Sequence, residues 1–91
     1  MEPLLLTPPG ARVGAAFVLG REPTCDLVVD DATVSRRHAA LRLDGAGWAI
    51  ADLGSKNGTW INGWRVRDEA RLAPGEAVQL GATDWVFAPR I

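Results

Sequence analysis

The sequence predicts an all-β domain, a sandwich or barrel of short strands, and three observations carry that expectation. No window repeats apolar residues at the i, i+3, i+4, i+7 spacing of an amphipathic helix. Short alternating or apolar runs recur along the chain instead, at the spacing of a many-stranded fold. Ten glycines and six prolines in 91 residues separate those runs and would interrupt long helices.

In chain order the expected strands are Leu4–Thr7, Ala16–Leu19, Leu27–Val29, Ala39–Leu43, Trp48–Ala51, Thr59–Ile61, Trp64–Val66, Ala77–Leu80 and Asp84–Ala88. Strand side chains alternate between faces, so Ala39, Leu41 and Leu43 should face a core while Ala40 and Arg42 look outward. Pro8-Pro9-Gly10, Asp44-Gly45-Ala46-Gly47, Asn62-Gly63 and Pro74-Gly75 supply residues with a fixed φ or a tolerance of φ > 0. Asn62-Gly63 is the clearest hairpin signal. A two-residue type I′ loop there pairs Ile61 with Trp64 and Trp60 with Arg65, placing the last two on one face in reach of a cation–π contact. The tryptophans are expected in the core or the hairpin, with Trp64 partly exposed.

Length and composition bound the answer. Ninety-one residues make one domain spanning 1–91, near the lower size for a core without disulfides or metal. At 47% hydrophobic and 23% charged, the chain is far from disordered compositions. The longest nearly apolar run, Val13 to Leu19, is much shorter than the roughly 18 residues a membrane span needs, and no charged n-region precedes it. The reading is a soluble, unprocessed chain. The single cysteine, Cys25, has no internal partner, which favours a reducing compartment and a cytoplasmic protein. A net charge of −1 lacks the basic excess of a nucleic-acid binder. Charge distribution is more informative, since Arg21, Arg36, Arg37 and Lys56 cluster in segments that acids such as Asp44, Asp68 and Glu76 avoid.

Four polar pieces fall between the expected strands: Gly20-Arg21, Ser35-Arg36-Arg37-His38, Gly54-Ser55-Lys56-Asn57-Gly58 and Asn62-Gly63. Loops on a rigid scaffold commonly carry function. The planar fork of Arg21 can give two charge-assisted hydrogen bonds to one phosphate. Ser35 offers a small hydroxyl donor in a loop, Arg36 adds positive charge beside it, and Lys56 can swing onto an anion as a point charge. Asn57 both donates and accepts, which suits the backbone of an extended peptide. Gly58 and Gly63 serve backbone conformation, and Asn62 the hairpin.

The order Gly-Arg, Ser-x-x-His, Asn-Gly and a second Asn-Gly on an all-β background resembles the forkhead-associated (FHA) domain in its bacterial form. Gly20-Arg21, Thr33 to Ala39 and Asp52 to Gly63 carry the resemblance, which extends over about residues 16–88. It implies a β-sandwich of about eleven strands whose loops at one end grip phosphothreonine in a partner protein. Arg21 and Ser35 would then touch the phosphate, with Arg36 and Lys56 in support, and Asn57 would contact the peptide backbone. Gly20, His38, Gly58, Asn62 and Gly63 would support the site, His38 by bracing loops through hydrogen bonds. The dianion's charge of roughly −1.5 to −2 and its three acceptor oxygens suit such converging donors.

The implied partner is a phosphothreonine-containing protein or peptide, including a Ser/Thr kinase or its substrate. No cofactor, metal, nucleic acid or membrane is expected, and the domain is expected to act as a monomer. An enzyme is disfavoured because Ser35 and His38 alone volunteer as nucleophile and base, and in an extended strand residues three apart point to opposite faces. One His and one Cys are too few for a typical catalytic zinc, and Asp26, Asp30 and Asp31 lack the spacing of a calcium loop. The stronger rival is a phosphate-independent interaction or self-association scaffold that pairs through a sheet face or strand edge. Nucleic-acid backbone binding is weaker, because no broad basic track exists.

Overall fold

The computed structural model describes residues 4–90, so both ends of the expected 1–91 domain, residues 1–3 and 91, lie outside the described residues. Ten strands follow in chain order: β1 (Leu4–Leu6), β2 (Ala16–Gly20), β3 (Leu27–Val28), β4 (Ala39–Asp44), β5 (Gly47–Asp52), β6 (Thr59–Ile61), β7 (Trp64–Arg65), β8 (Glu69–Leu72), β9 (Ala77–Leu80) and β10 (Thr83–Phe87). No helix occurs among the described residues, and none is long and apolar enough to cross a membrane. Two five-stranded sheets run β1-β10-β9-β6-β7 and β3-β2-β4-β5-β8. The β1–β10 and β2–β3 pairs are parallel. All other pairs are antiparallel.

All nine expected strands are present with every bound within one residue of the expectation. The tenth, β8, is the one that sequence pattern did not reveal. Its Glu-Ala-Arg-Leu alternation carries little β-branched or aromatic signal, because it is a charged edge strand. Glu69 receives two hydrogen bonds from Arg42 of β4, and Arg71 donates to Asp44. In register, Arg42 and Arg71 flank Ala49, which is buried although it lies on the outer face. Hydrogen bonds from Arg71, from the Ala46 amide and from Arg42 hold the Asp44 carboxyl well below the usual carboxylate range.

Inner-face alternation builds the core. Leu6, Leu19, Leu41, Ile50, Leu80 and Phe87 are fully buried, as are Val34 and Val78. The Trp48 ring stands edge-on to Phe87 at 5.6 Å between centroids and lies 6.3 Å from Phe17. Each fully buried side chain of this size contributes roughly 1.5–3 kcal/mol relative to exposure. Ala39 and Leu41 are buried and Leu43 half-buried, as the β4 alternation predicts. Cys25 is buried and free, and its thiol donates to the Arg36 carbonyl.

The β6–β7 hairpin forms with Ile61 opposite Trp64 and Trp60 opposite Arg65. Asn62 and Gly63 adopt φ of 49° and 83°, the left-handed pair a type I′ turn requires. Arg65 lies 5.4 Å from the Trp60 ring centroid. Asn62 also ties the turn to β9, donating to Glu76 and accepting from the Ala77 amide. Trp64 is 81% exposed, well beyond the partial exposure its position suggested.

Candidate functional site

Four loops meet at one rim of the sandwich, and the hydrogen bonds among them define the site. The β2–β3 loop begins at Arg21, whose amide donates to the Ser35 carbonyl at 3.0 Å. The β3–β4 loop carries Thr33 to His38. From the β5–β6 loop, the Lys56 amide donates to Ser35 Oγ (3.0 Å) and Asn57 Nδ2 donates to the Thr33 carbonyl (2.8 Å). The β9–β10 turn closes the rim through the Ala82 amide on Thr33 Oγ1 (2.9 Å).

Arg21, Ala32, Thr33, Val34, Ser35, Lys56 and Asn57 line a shallow concavity of about 190 Å³. Arg21 Nε donates to the Val34 carbonyl at 3.1 Å, which fixes the plane of the guanidinium. No acceptor among the described residues takes its two Nη groups, so they remain open to a ligand. Ser35 Oγ already accepts from Lys56, so its own hydrogen is left to donate. Lys56 is exposed at the lip. Asn57 uses its amide nitrogen within the rim, which leaves Oδ1 to meet a partner's N–H. Arg36 is exposed but does not line this concavity; its carbonyl accepts from the Glu22 amide and from the Cys25 thiol. Arg37 is solvent-exposed.

His38 is fully buried and ties the β3–β4 loop to the β5–β6 loop, which crosses from one sheet to the other. Its Nδ1 accepts from the Ser35 amide at 3.0 Å, which leaves Nε2 to donate to the Gly58 carbonyl at 2.7 Å. Both ring nitrogens are thereby engaged, and the neutral Nε2–H tautomer is the one that satisfies both partners. The strand geometry expected to separate Ser35 from His38 does not hold, because residues 35–38 form a bend ahead of β4. That bend brings His38 onto the serine's amide, not its hydroxyl, so the pairing braces backbone and gives the hydroxyl no base.

Two of the glycines expected to support the site are dictated by close approach. A Cβ on Gly20 would lie 2.2 Å from the Arg36 carbonyl oxygen. Gly58 has φ of +89°, and a Cβ there would lie 2.9 Å from Trp60 Nε1.

Sequence reasoning passed over two organising residues. Asp52 accepts from the Gly54 and Ser55 amides, from Ser55 Oγ (2.6 Å) and from Thr59 Oγ1 (2.8 Å), shaping the whole β5–β6 loop. Burial works against its ionisation, but the hydrogen bonds from Ser55 and Thr59 outweigh it and hold the carboxyl below its usual value. Thr33 is the other: it receives Asn57 and Ala82 and donates through both amide and hydroxyl to Asp31. The Asp-Ala-Thr spacing of an Asx-type turn was the available signal for Thr33. Asp52 lies two residues before the Gly54-Ser55 pair whose amides it accepts.

Other concavities are larger, about 640 Å³ around residues 10–17 and about 410 Å³ on the outer face of the β1-β10-β9-β6-β7 sheet. Neither combines a fixed guanidinium with a hydroxyl donor. The rim is therefore the place where the fold converges polar donors on one small volume, the construction of a binding module for a compact anionic group.

The chain belongs to the FHA domain family, whose model matches residues 17–81. It is 44% identical to the glycogen accumulation regulator GarA of Mycolicibacterium smegmatis over 91 aligned residues, covering 92% of this chain and 57% of that protein. Among solved structures it is similar to the FHA domain of CT664 from Chlamydia trachomatis (TM-score 0.76, 32% identity, 80% of this chain and 74% of that one). It is also similar to Mycobacterium tuberculosis EmbR in complex with a low-affinity phosphopeptide (TM-score 0.72, 32% identity, 85% of this chain and 21% of that one).

Proposed function

We propose that this domain reads phosphothreonine in a partner protein, as an adaptor downstream of a Ser/Thr kinase. Arg21 Nη groups and the Ser35 hydroxyl hold the phosphate, Lys56 adds a point charge at the lip, and Arg36 contributes charge from the adjoining surface. Asn57 Oδ1 takes a backbone N–H beside the phosphothreonine. The observation that carries this reading is the oriented Arg21 guanidinium, held at Nε by Val34 and open at both Nη groups, adjoining a serine hydroxyl whose lone pair is already occupied. Membership of the FHA family and the phosphopeptide bound to EmbR support it.

The domain is a binder, with no reaction of its own: a serine with no base beside its hydroxyl suits ligand capture and not attack. The chain spans 57% of the length of GarA, so a regulatory task of that whole protein extends to this chain only as part of this proposal. Matched phosphothreonine and unphosphorylated peptides, titrated by calorimetry into wild-type and Arg21→Ala protein, test the reading. Phosphate-dependent binding that is lost in a folded Arg21→Ala variant is expected, because truncating one partner of a buried charge pair costs on the order of 2–5 kcal/mol. Equal affinity for the unphosphorylated peptide would instead favour a phosphate-independent scaffold.

A further inference from the structure

The outer face of the β1-β10-β9-β6-β7 sheet holds a concavity of about 410 Å³, against about 190 Å³ at the rim, and its walls include Trp60, Ala77, Gln79, Asp84, Trp85 and Val86. None of these residues belongs to the rim site. In register Trp60 lies opposite Gln79 and Gln79 opposite Asp84, while Val86 lies opposite Ala77 in the next row. Two adjacent rows therefore present one aromatic ring, two small apolar side chains and a polar edge to solvent. Arg65 lies over the Trp60 ring at one end of these rows.

This groove is continuous with the rim. Trp60 Nε1 donates to the carbonyl of Asn57, which itself lines the rim concavity. Arg65, over the Trp60 ring, comes so close to Gly58 that a Cβ there would lie 3.2 Å from its guanidinium. Arg65 has no carboxylate within salt-bridge distance among the described residues, whereas Arg42 and Arg71 are both paired. An unpaired cation thus stands between a phosphate site and an apolar trough.

We propose that the trough takes a second stretch of the same phosphothreonine-bearing partner chain, with an acidic side chain at Arg65 and an apolar side chain between Trp60 and Val86. This rests on the phosphothreonine reading of the rim. A rim site that shallow buries little more than the phosphorylated side chain, so further apolar burial must come from beyond it. An extended chain advances about 3.3 Å per residue, so a partner chain that runs on past the residues flanking the phosphothreonine can carry an apolar side chain onto the sheet face.

The test uses two degenerate peptide libraries centred on phosphothreonine, one seven and one nineteen residues long, selected on the immobilised domain and followed by anisotropy of the winning peptides. The long library should select acidic and apolar residues on one side of the phosphothreonine, and its winners should bind at least tenfold tighter than their own central heptamers. Ala77→Arg fills the trough away from the rim loops; it should erase that gain while leaving heptamer affinity within twofold. Val86→Arg should do the same and stands in if Ala77→Arg fails to fold. Absence of a length gain, or its survival in both folded variants, overturns the proposal. So does concentration-dependent self-association that Ala77→Arg abolishes, which would assign the trough to a second copy. Heptamers that fail to bind at all would overturn the phosphothreonine reading itself.

Discussion

The Cα of Gly20 packs against the carbonyl oxygen of Arg36 so closely that a methyl group on Gly20 would stand 2.2 Å from that oxygen. The same carbonyl accepts from Glu22 and Cys25, so it cannot retreat without losing both bonds. Gly20→Ala therefore displaces the β3–β4 loop, with the overpacking cost of about 1–3 kcal/mol typical of a closed interior. Urea denaturation should show a lower midpoint at an unchanged m-value, together with weaker phosphopeptide binding. A midpoint equal to wild type would show that the loop yields freely.

His38→Ala removes one ring that satisfies two buried backbone groups. Leaving the Ser35 N–H and the Gly58 carbonyl unpaired costs about 1–3 kcal/mol for each group, and the vacated volume adds to that. The variant should be destabilised, and phosphopeptide affinity should fall although His38 contacts no ligand. Arg37→Ala, at the exposed neighbour, should change neither the midpoint nor the titration.

Asp52 makes stability sensitive to acid. Its folded-state carboxyl titrates below the unfolded value of about 3.9, so its contribution is complete above that value and is lost as pH falls through the folded one. Wild-type stability should therefore drop more steeply below about pH 4 than that of Asp52→Asn, whose amide has no charge to lose. Parallel acid titrations followed by tryptophan fluorescence would check the difference in slope.

Ala32, exposed on the wall of the rim concavity, supplies apolar surface for a threonine methyl beside the phosphate. One methyl in such a niche is worth roughly 1–3 kcal/mol, about a ten- to two-hundredfold preference. Matched phosphothreonine and phosphoserine peptides titrated side by side should show it; equal affinities would remove the niche. Affinity should also weaken with added salt, because charges at an exposed lip are screened.

What sequence made legible and what it hid follow from the range of the interactions involved. The β6–β7 hairpin was readable because Asn62 and Gly63 hold their own φ values, a purely local constraint. Nine strands were visible through period-two patterns that a half-buried sheet imposes. Strand β8 was hidden because its identity depends on Arg42 and Asp44, distant in sequence and adjacent only across the sheet. Within the site, the named loop residues were legible as a motif, but their geometry was not. Alternation places Ser35 and His38 on opposite faces, and a bend stabilised by Gly58, twenty residues onward, brings them together. Thr33 looked like an ordinary turn residue because Asn57 and Ala82 arrive from other loops, whereas the partners of Asp52 lie in its own loop and the strand that follows.

The imidazole of His38 links the bend that carries Ser35 to the crossing by which the chain leaves one sheet for the other. One ring thereby holds the rim in register with the junction of the two layers, so a change in either is felt by the other.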